Sequence, residues 1–154
     1  MTNRIFRSIF LVAAIVLTAG IAFTMGILYQ FFGRQLQKEL ENEARYLAIS
    51  VEELGTDSLS GLTGQAERVT LIDADGRVLF DNKADPAGME NHADREEVKE
   101  ALSGGSGRAT RHSETLGERT VYYALRLESG QILRVCSTQY TFITLLGGML
   151  QPIM

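Results

Sequence analysis

Hydrophobic positions fall along the chain in three successive patterns. Residues 9–32 (IFLVAAIVLTAGIAFTMGILYQFF) are apolar except at Thr18, Thr24 and Gln30. At about 1.5 Å of rise per residue this stretch makes roughly 36 Å of helix, enough to cross a hydrocarbon core with some tilt. The second pattern begins after Gly33 with no helix breaker between. In residues 34–54, Leu40, Ala44, Leu47, Val51 and Leu54 recur at steps of 4, 3, 4 and 3. That is a heptad seam, with Lys38, Glu39, Glu41, Glu43, Glu52 and Glu53 placed away from it. Two readings stay open for it: pairing with a second copy through Leu40, Leu47, Val51 and Leu54, or packing on the domain's own sheet. Gly55 predicts a helix stop, and residues 56–65 a turn or short helix.

The third pattern has the period of a strand. Val69-Thr70-Leu71-Ile72 and Val78-Leu79-Phe80 flank Asp73-Ala74-Asp75-Gly76, and Asp-Gly between β-formers predicts a hairpin. A loop follows over 82–93, then a helix over 94–102 with Asp94 as N-cap, Glu97 completing a capping box, and an apolar stripe of Val98, Ala101 and Leu102. Gly104-Gly105-Ser106-Gly107 predicts a linker. Strands are predicted over 108–114, 120–128 and 131–138. Val121, Tyr123, Leu125 and Leu127 alternate with Tyr122, Ala124 and Arg126, while Leu133 and Val135 alternate with Arg134 and Cys136. The order β-β-α-β-β-β after a long helix predicts an α+β fold, one five-stranded antiparallel sheet with helices on its faces. Four regions result: an N-terminus and transmembrane helix (1–33), a juxtamembrane helix and turn (34–66), the sheet domain (67–138), and a terminal apolar segment (139–154). The apolar part of that segment is shorter than the roughly 20 residues a span needs, so it is either a buried or interfacial tail or, the favoured expectation, the start of a second transmembrane helix with the protein continuing beyond it.

Charge sharpens this division. The chain has 154 residues, 15 Lys+Arg and 19 Asp+Glu, for a net charge of -4. No charge occurs between Ser8 and Gly33 or from Val135 onward, so all 19 acidic residues lie in 34–134. An acidic middle speaks against nucleic acid, which demands clustered cations. Arg4 and Arg7 before the apolar run predict a cytoplasmic N-terminus, with residues 34–138 on the far side of the bilayer. A cleaved signal peptide is the rival reading, but its apolar core would be only about 7–15 residues long. Asp73, Asp75 and Asp81 invite a calcium loop, yet Arg77-Val78-Leu79-Phe80 occupies the ground where further oxygen ligands belong. The glycine cluster at 104–107 ends a helix and lacks the Gly-Lys-Ser/Thr of a phosphate loop. Cys136 is the sole cysteine and reads as a small buried residue. No catalytic group, metal site or cofactor is expected.

The stretch VTLIDADGRVLFDNKADPAGMENHADREEVKEALSGG, followed by GRATRHSETLGERTVYYALRLESGQILRV, resembles the extracytoplasmic sensor region of phosphate-regulon-type sensor histidine kinases. The resemblance rests on the strand–Asp-x-Asp-Gly–strand opening and on Glu90-Asn91-His92 through Arg95. It continues with Arg111, Ser113-x-Thr115-Leu116, Tyr122-Tyr123-Ala124 and Leu133-Arg134-Val135. It implies a PAS-like or single-Cache-like domain, a homodimer in the bacterial cytoplasmic membrane, and a kinase that autophosphorylates a histidine. His92 and His112 lack the His-Glu-x-x-Thr-Pro context of a phosphoacceptor, so kinase parts would lie beyond Met154. The implied function is the anchored input portion of a two-component sensor, with the bilayer, a second copy and an unknown small-molecule or envelope ligand as partners. The alternative is a stand-alone membrane-tethered binding or interaction protein of the same fold. A pilin-like subunit would need a processing Gly followed by Phe-Thr-Leu-x-Glu, absent from this sequence.

Arg111, Tyr122, Arg126 and Arg134 lie on neighbouring predicted strands and could hold an anionic group. The competing reading makes these arginines surface cations, balancing an acidic domain or pairing with Asp73 and Asp81. His92 and Arg95, matched to the family, are expected to anchor the loop and the helix start.

Overall fold

The computed structural model describes residues 2–62, 67–113 and 118–140. The chain divides into two compact units, residues 1–36 and 37–154. Helix α1 (Thr2–Leu54) supplies all of the first unit described and the opening of the second.

Within the first unit every side chain from Ile5 to Phe32 is exposed, Phe6 and Phe23 by more than 70%. A helix of a water-soluble domain buries one face; this one is apolar all round and buries none. Thr18 and Thr24 return their hydroxyls to the carbonyls of Ala14 and Gly20, so neither hydroxyl is left without a partner. By length and composition this is a helix able to cross a membrane.

The second unit is the sheet domain. After α1, Gly55 takes a left-handed φ of 78° and closes the helix through its N–H to the Val51 carbonyl. A 3-10 turn (Thr56–Leu62) follows, burying Leu59. The strands are β1 (Arg68–Ile72), β2 (Val78–Asp81), β3 (Ser106–Ser113), β4 (Glu118–Arg126) and β5 (Ile132–Tyr140), with helix α2 (Glu96–Gly104) between β2 and β3. They form one antiparallel sheet in the order β2-β1-β5-β4-β3. The expected α+β architecture holds: one five-stranded antiparallel sheet with helices on its faces.

Several boundaries differ from expectation, each for a local reason. Strand β3 starts at Ser106, inside the predicted linker: Gly104 ends α2, Gly105 caps it at φ 86°, and Ser106 pairs at once with Leu125. Helix α2 starts at Glu96 with Arg95 at the N-cap and no side-chain cap bond. Asp94 does not cap; its exposed carboxylate meets Lys99 instead. Gln139 and Tyr140 belong to β5 and not to a terminal helix. The rest of that segment, and Thr115-Leu116 of the family motif, lie outside the described residues.

Because side chains alternate along strands, the register sorts the sheet into two faces. Val69, Leu71, Val121, Tyr123, Leu133 and Val135 point one way, all buried. The 37–54 part of α1 covers this face, burying Leu40, Ala44, Ala48 and Val51. Glu41 pairs with Arg108 at 2.8 Å, Arg108 sits 5.5 Å from the Tyr123 ring, and Glu52 accepts the Glu128 N–H. The other face carries Arg68, Thr70, Ile72, Arg111, Tyr122, Ala124, Ile132, Arg134 and Cys136. Helix α2 lies over it, packing Val98 and Ala101 against Ile72, Ala124 and Ile132.

Candidate functional site

Gly107 sets how close α2 comes to the sheet. A Cβ there would fall 2.0 Å from the Glu97 carbonyl and 2.7 Å from the Glu100 Cβ, so only glycine permits the approach. Glu100 then accepts the Arg108 N–H at 3.0 Å. Pressed down this way, Glu97 enters the sheet's polar face and is wholly buried.

There its carboxylate divides between two guanidiniums. One oxygen pairs with Arg111 Nη2, and the other lies 3.4 Å from Arg134 Nη1. Arg134 is only 4% exposed and also donates from Nη2 to the Thr70 hydroxyl at 3.2 Å. Its Nε is buried with no hydrogen-bond partner among the described residues. Tyr122 offers its ring to both cations, with the Arg111 Cζ at 4.2 Å and the Arg134 Cζ at 5.6 Å from its centre. Burial is the main influence pulling Arg134 below its ordinary value.

A second charged pair stands beside the first. Asp81 accepts from Arg68 Nε at 2.9 Å, the Thr70 hydroxyl at 2.8 Å and the N–H groups of Lys83 and Ala84. Burial alone would raise this carboxyl, but the bonds from Arg68, Lys83 and Thr70 outweigh it and hold the carboxyl below its usual value. Thr70 thus links the two pairs, donating to Asp81 and accepting from Arg134.

His92 comes from the loop over this face. Its N–H donates to the Gly76 carbonyl at 2.8 Å and its own carbonyl accepts from the Arg95 N–H at 3.0 Å, so it joins the β1–β2 turn to the start of α2. The ring is buried, and Nδ1 has no partner among the described residues. Burial, then the charges of Arg134, Arg95 and Arg68, pull its pKa down to about 4, so the imidazole is neutral at pH 7. Gly76 makes the junction feasible: at φ 88° any Cβ would strike Asn91 and Ala93. The carboxylates of Asp73 and Asp75 accept N–H groups of Ala74 and Arg77 within this turn.

The four residues expected to form an anion site share this face, but only three converge. Arg111, Tyr122 and Arg134 come together; Arg126 turns away and donates to the Leu102 carbonyl at the end of α2. Nor do the converging arginines pair with Asp73 or Asp81, the acids first considered. Asp73 meets Arg77, Asp81 meets Arg68, and Glu97 takes Arg111 and Arg134. Of the proposed dimer seam, Leu40 and Val51 are buried within the chain's own fold, Leu47 is half-buried, and Leu54 is 72% exposed. Cys136 is buried on the polar face, and burial pushes its thiol up.

Residues 30–132 match the single Cache-like family. The chain belongs to that family. Two solved structures resemble this Cache-like chain distantly. One is the extracellular domain of a histidine kinase, with 17% identity and a TM-score of 0.38, covering 68% of this chain and 40% of that one. The other is a domain of the sensory box sensor histidine kinase/response regulator from Geobacter sulfurreducens, with 16% identity and a TM-score of 0.38, covering 53% of this chain and 92% of that one. The Cache-like chain therefore spans less than half the length of the first structure. No curated protein matches it.

Proposed function

We propose that this Cache-like chain is the membrane-anchored, extracytoplasmic input portion of a bacterial sensor histidine kinase of the phosphate-regulon type. The polar face under α2 is its sensing surface. One observation carries the reading: the face of the sheet under α2 holds Arg134, Glu97 and Asp81 buried, with half-buried Arg68 and Arg111 paired to the two acids, where apolar side chains would serve stability as well or better. Charge retained at that cost marks a site in use. The exposed apolar helix in the first unit supports the anchoring part of the reading. In this scheme Arg4 and Arg7 stay in the cytoplasm and the sheet domain stands outside the cytoplasmic membrane.

Two copies would meet along α1. Since Leu40 and Val51 are occupied inside the fold, the contact is assigned to the exposed Tyr46, Ile49 and Leu54. Disulfide cross-linking in membranes should be efficient for Ile49→Cys and poor for Ala48→Cys; equal yields would remove the assignment.

Two measurements test the main proposal. Asp57, exposed after α1, should become labelled as Asp57→Cys by a membrane-impermeant maleimide in intact cells with a permeabilised outer barrier. Protection there would sink the topology. The coding sequence downstream of codon 154 should encode a second span and then a histidine-kinase core. A stop codon or an unrelated domain there would favour the stand-alone tethered binding protein.

A further inference from the structure

We propose that Arg134 is the docking point for a small carboxylate, which displaces Glu97 from it and leaves Glu97 to Arg111 alone. The inference rests on the sensing reading above and names the ligand class and the switch.

Charge and donor accounting lead to it. One carboxylate serves two guanidiniums in the Glu97 group, so one positive charge is left over, and of the two cations Arg134 is the buried one while Arg111 is partly open to water. The Arg68–Asp81 pair is neutral in itself, and His92 is uncharged at neutral pH, so neither supplies the missing anion. Arg134 carries that deficit. A guanidinium has five N–H donors in a planar fork, yet the Glu97 oxygen stands at a long 3.4 Å, the Thr70 hydroxyl at 3.2 Å, and Nε has nothing. Arg111, by contrast, has the short contact. The weak end of the Glu97 bridge is therefore the end that an arriving anion would take, because a planar oxyanion pairing side-on with Arg134 would engage donors that Glu97 leaves idle. The second buried atom without a partner, His92 Nδ1, belongs to the ring whose proton affinity the Arg134 charge lowers. As a neutral imidazole it can donate to a bound oxyanion.

A carboxylate suits the site better than a phosphate. The uncompensated charge is single, and Glu97 itself already shows that a carboxylate fits against both guanidiniums. Glu97 acts as a tethered competitor, sitting in the first turn of α2. Its release from Arg134 would free that turn from β5 while leaving it tied to β3 through Arg111. Ligand binding and a change in the α2 attachment thus become one event.

The test uses the full chain in nanodiscs at neutral pH, with sodium acetate as the probe against sodium chloride at equal ionic strength. Inorganic phosphate forms a second arm. Acetate should raise the melting temperature of the wild type and chloride should not. Glu97→Gln, with its competitor gone, should bind acetate about tenfold more tightly or better by calorimetric titration. If Glu97→Gln fails to fold, Glu97→Asp, whose carboxylate is drawn back by one methylene, should show the same direction. Arg134→Lys should lose the response, since an ammonium cannot replace the fork. Lys99→Gln, on the exposed side of α2, should behave as wild type. Acetate affinity unchanged by the Glu97 substitutions, binding that survives Arg134→Lys, or a response to phosphate alone would each overturn the proposal. Acetate binding as expected with no kinase core encoded downstream would overturn the sensing reading and leave the site standing. A kinase core downstream with no acetate binding would do the reverse.

Discussion

The two faces of the sheet are covered by helices of opposite chemistry. Under α1 the strands offer Val69, Leu71, Leu133 and Val135, and the helix answers with Leu40, Ala44, Ala48 and Val51. Under α2 the same strands, one residue out of phase, offer Arg68, Thr70, Arg134 and Cys136, and the helix answers with Glu97. The first face is held by area removed from water, which is insensitive to direction and tolerant of small shifts. The second depends on distances and charge states, so a small displacement changes its energy steeply. A domain that must both stay folded and respond can assign the two tasks to opposite sides of one sheet.

Substitutions can break or sharpen that contrast, and all are read from urea unfolding of the full chain in micelles. Glu97→Ala should be the most damaging, at about 3–5 kcal/mol, because it strands the buried Arg134 and takes its partner from the half-buried Arg111. Replacing the whole group by Arg111→Met, Glu97→Leu and Arg134→Met should recover most or all of that loss. If the triple variant were as unstable as Glu97→Ala, the polar face would be a pillar of stability and the division of labour would fail. On the apolar face, Leu133→Ala should cost about 2–5 kcal/mol with no dependence on pH or salt.

Acid should act chiefly through the polar face, since the Glu41 carboxylate on the α1 side is solvent-facing. His92 titrates near 6.5 when unfolded and at about 4 when folded, so the unfolded chain binds the extra proton between those values. Its contribution is fully present above about pH 6.5 and is lost as pH falls toward 4, a change of about 3 kcal/mol at most. His92→Gln should flatten stability across that window. Asp81, held below its usual value, loses its contribution only at lower pH still. The smallest effect should be Lys99→Ala, which removes an exposed pair with Asp94 and should cost less than about 0.5 kcal/mol.

Strand period and turn chemistry made much of this fold legible. The Asp75-Gly76 turn, the Gly55 stop and the alternation across β4 and β5 are local signals, and each local signal matched its element. The convergence of Arg111, Tyr122 and Arg134 was legible too, because strand parity alone puts Tyr122 and Arg134 on one face. What could not be read was the partner. Glu97 looked like a capping residue, since it stands three after Asp94. Its spacing of four from Ala101 also places it on the inner stripe of α2, and a lone acid on that stripe facing strands rich in arginine was the available clue. Arg126 went the other way: parity put it on the right face, but the free carbonyl of Leu102 lies nearer than the cluster. The heptad over 34–54 left two readings open because one apolar period serves a coiled coil and a sheet-packing helix alike. Burial at 40, 44, 48 and 51 follows the helix's own 3.6 period and not the 3.5 of a supercoil.

The strand order carries a consequence for biogenesis. Strand β5 is the last of the sheet to be synthesised and lies in its middle, bonded to β1 on one side and β4 on the other. Until residues 132–140 leave the ribosome, β1 has only β2 for a neighbour, and a two-stranded ribbon is marginal in water. Thr70 must wait for Arg134, 64 positions later, before its hydroxyl has its second bond. The domain therefore cannot mature strand by strand as it emerges. It closes in a single late step, with contacts of long sequence separation that fold slowly, and any chain released before β5 would present two further open sheet edges, those of β1 and β4, to its neighbours.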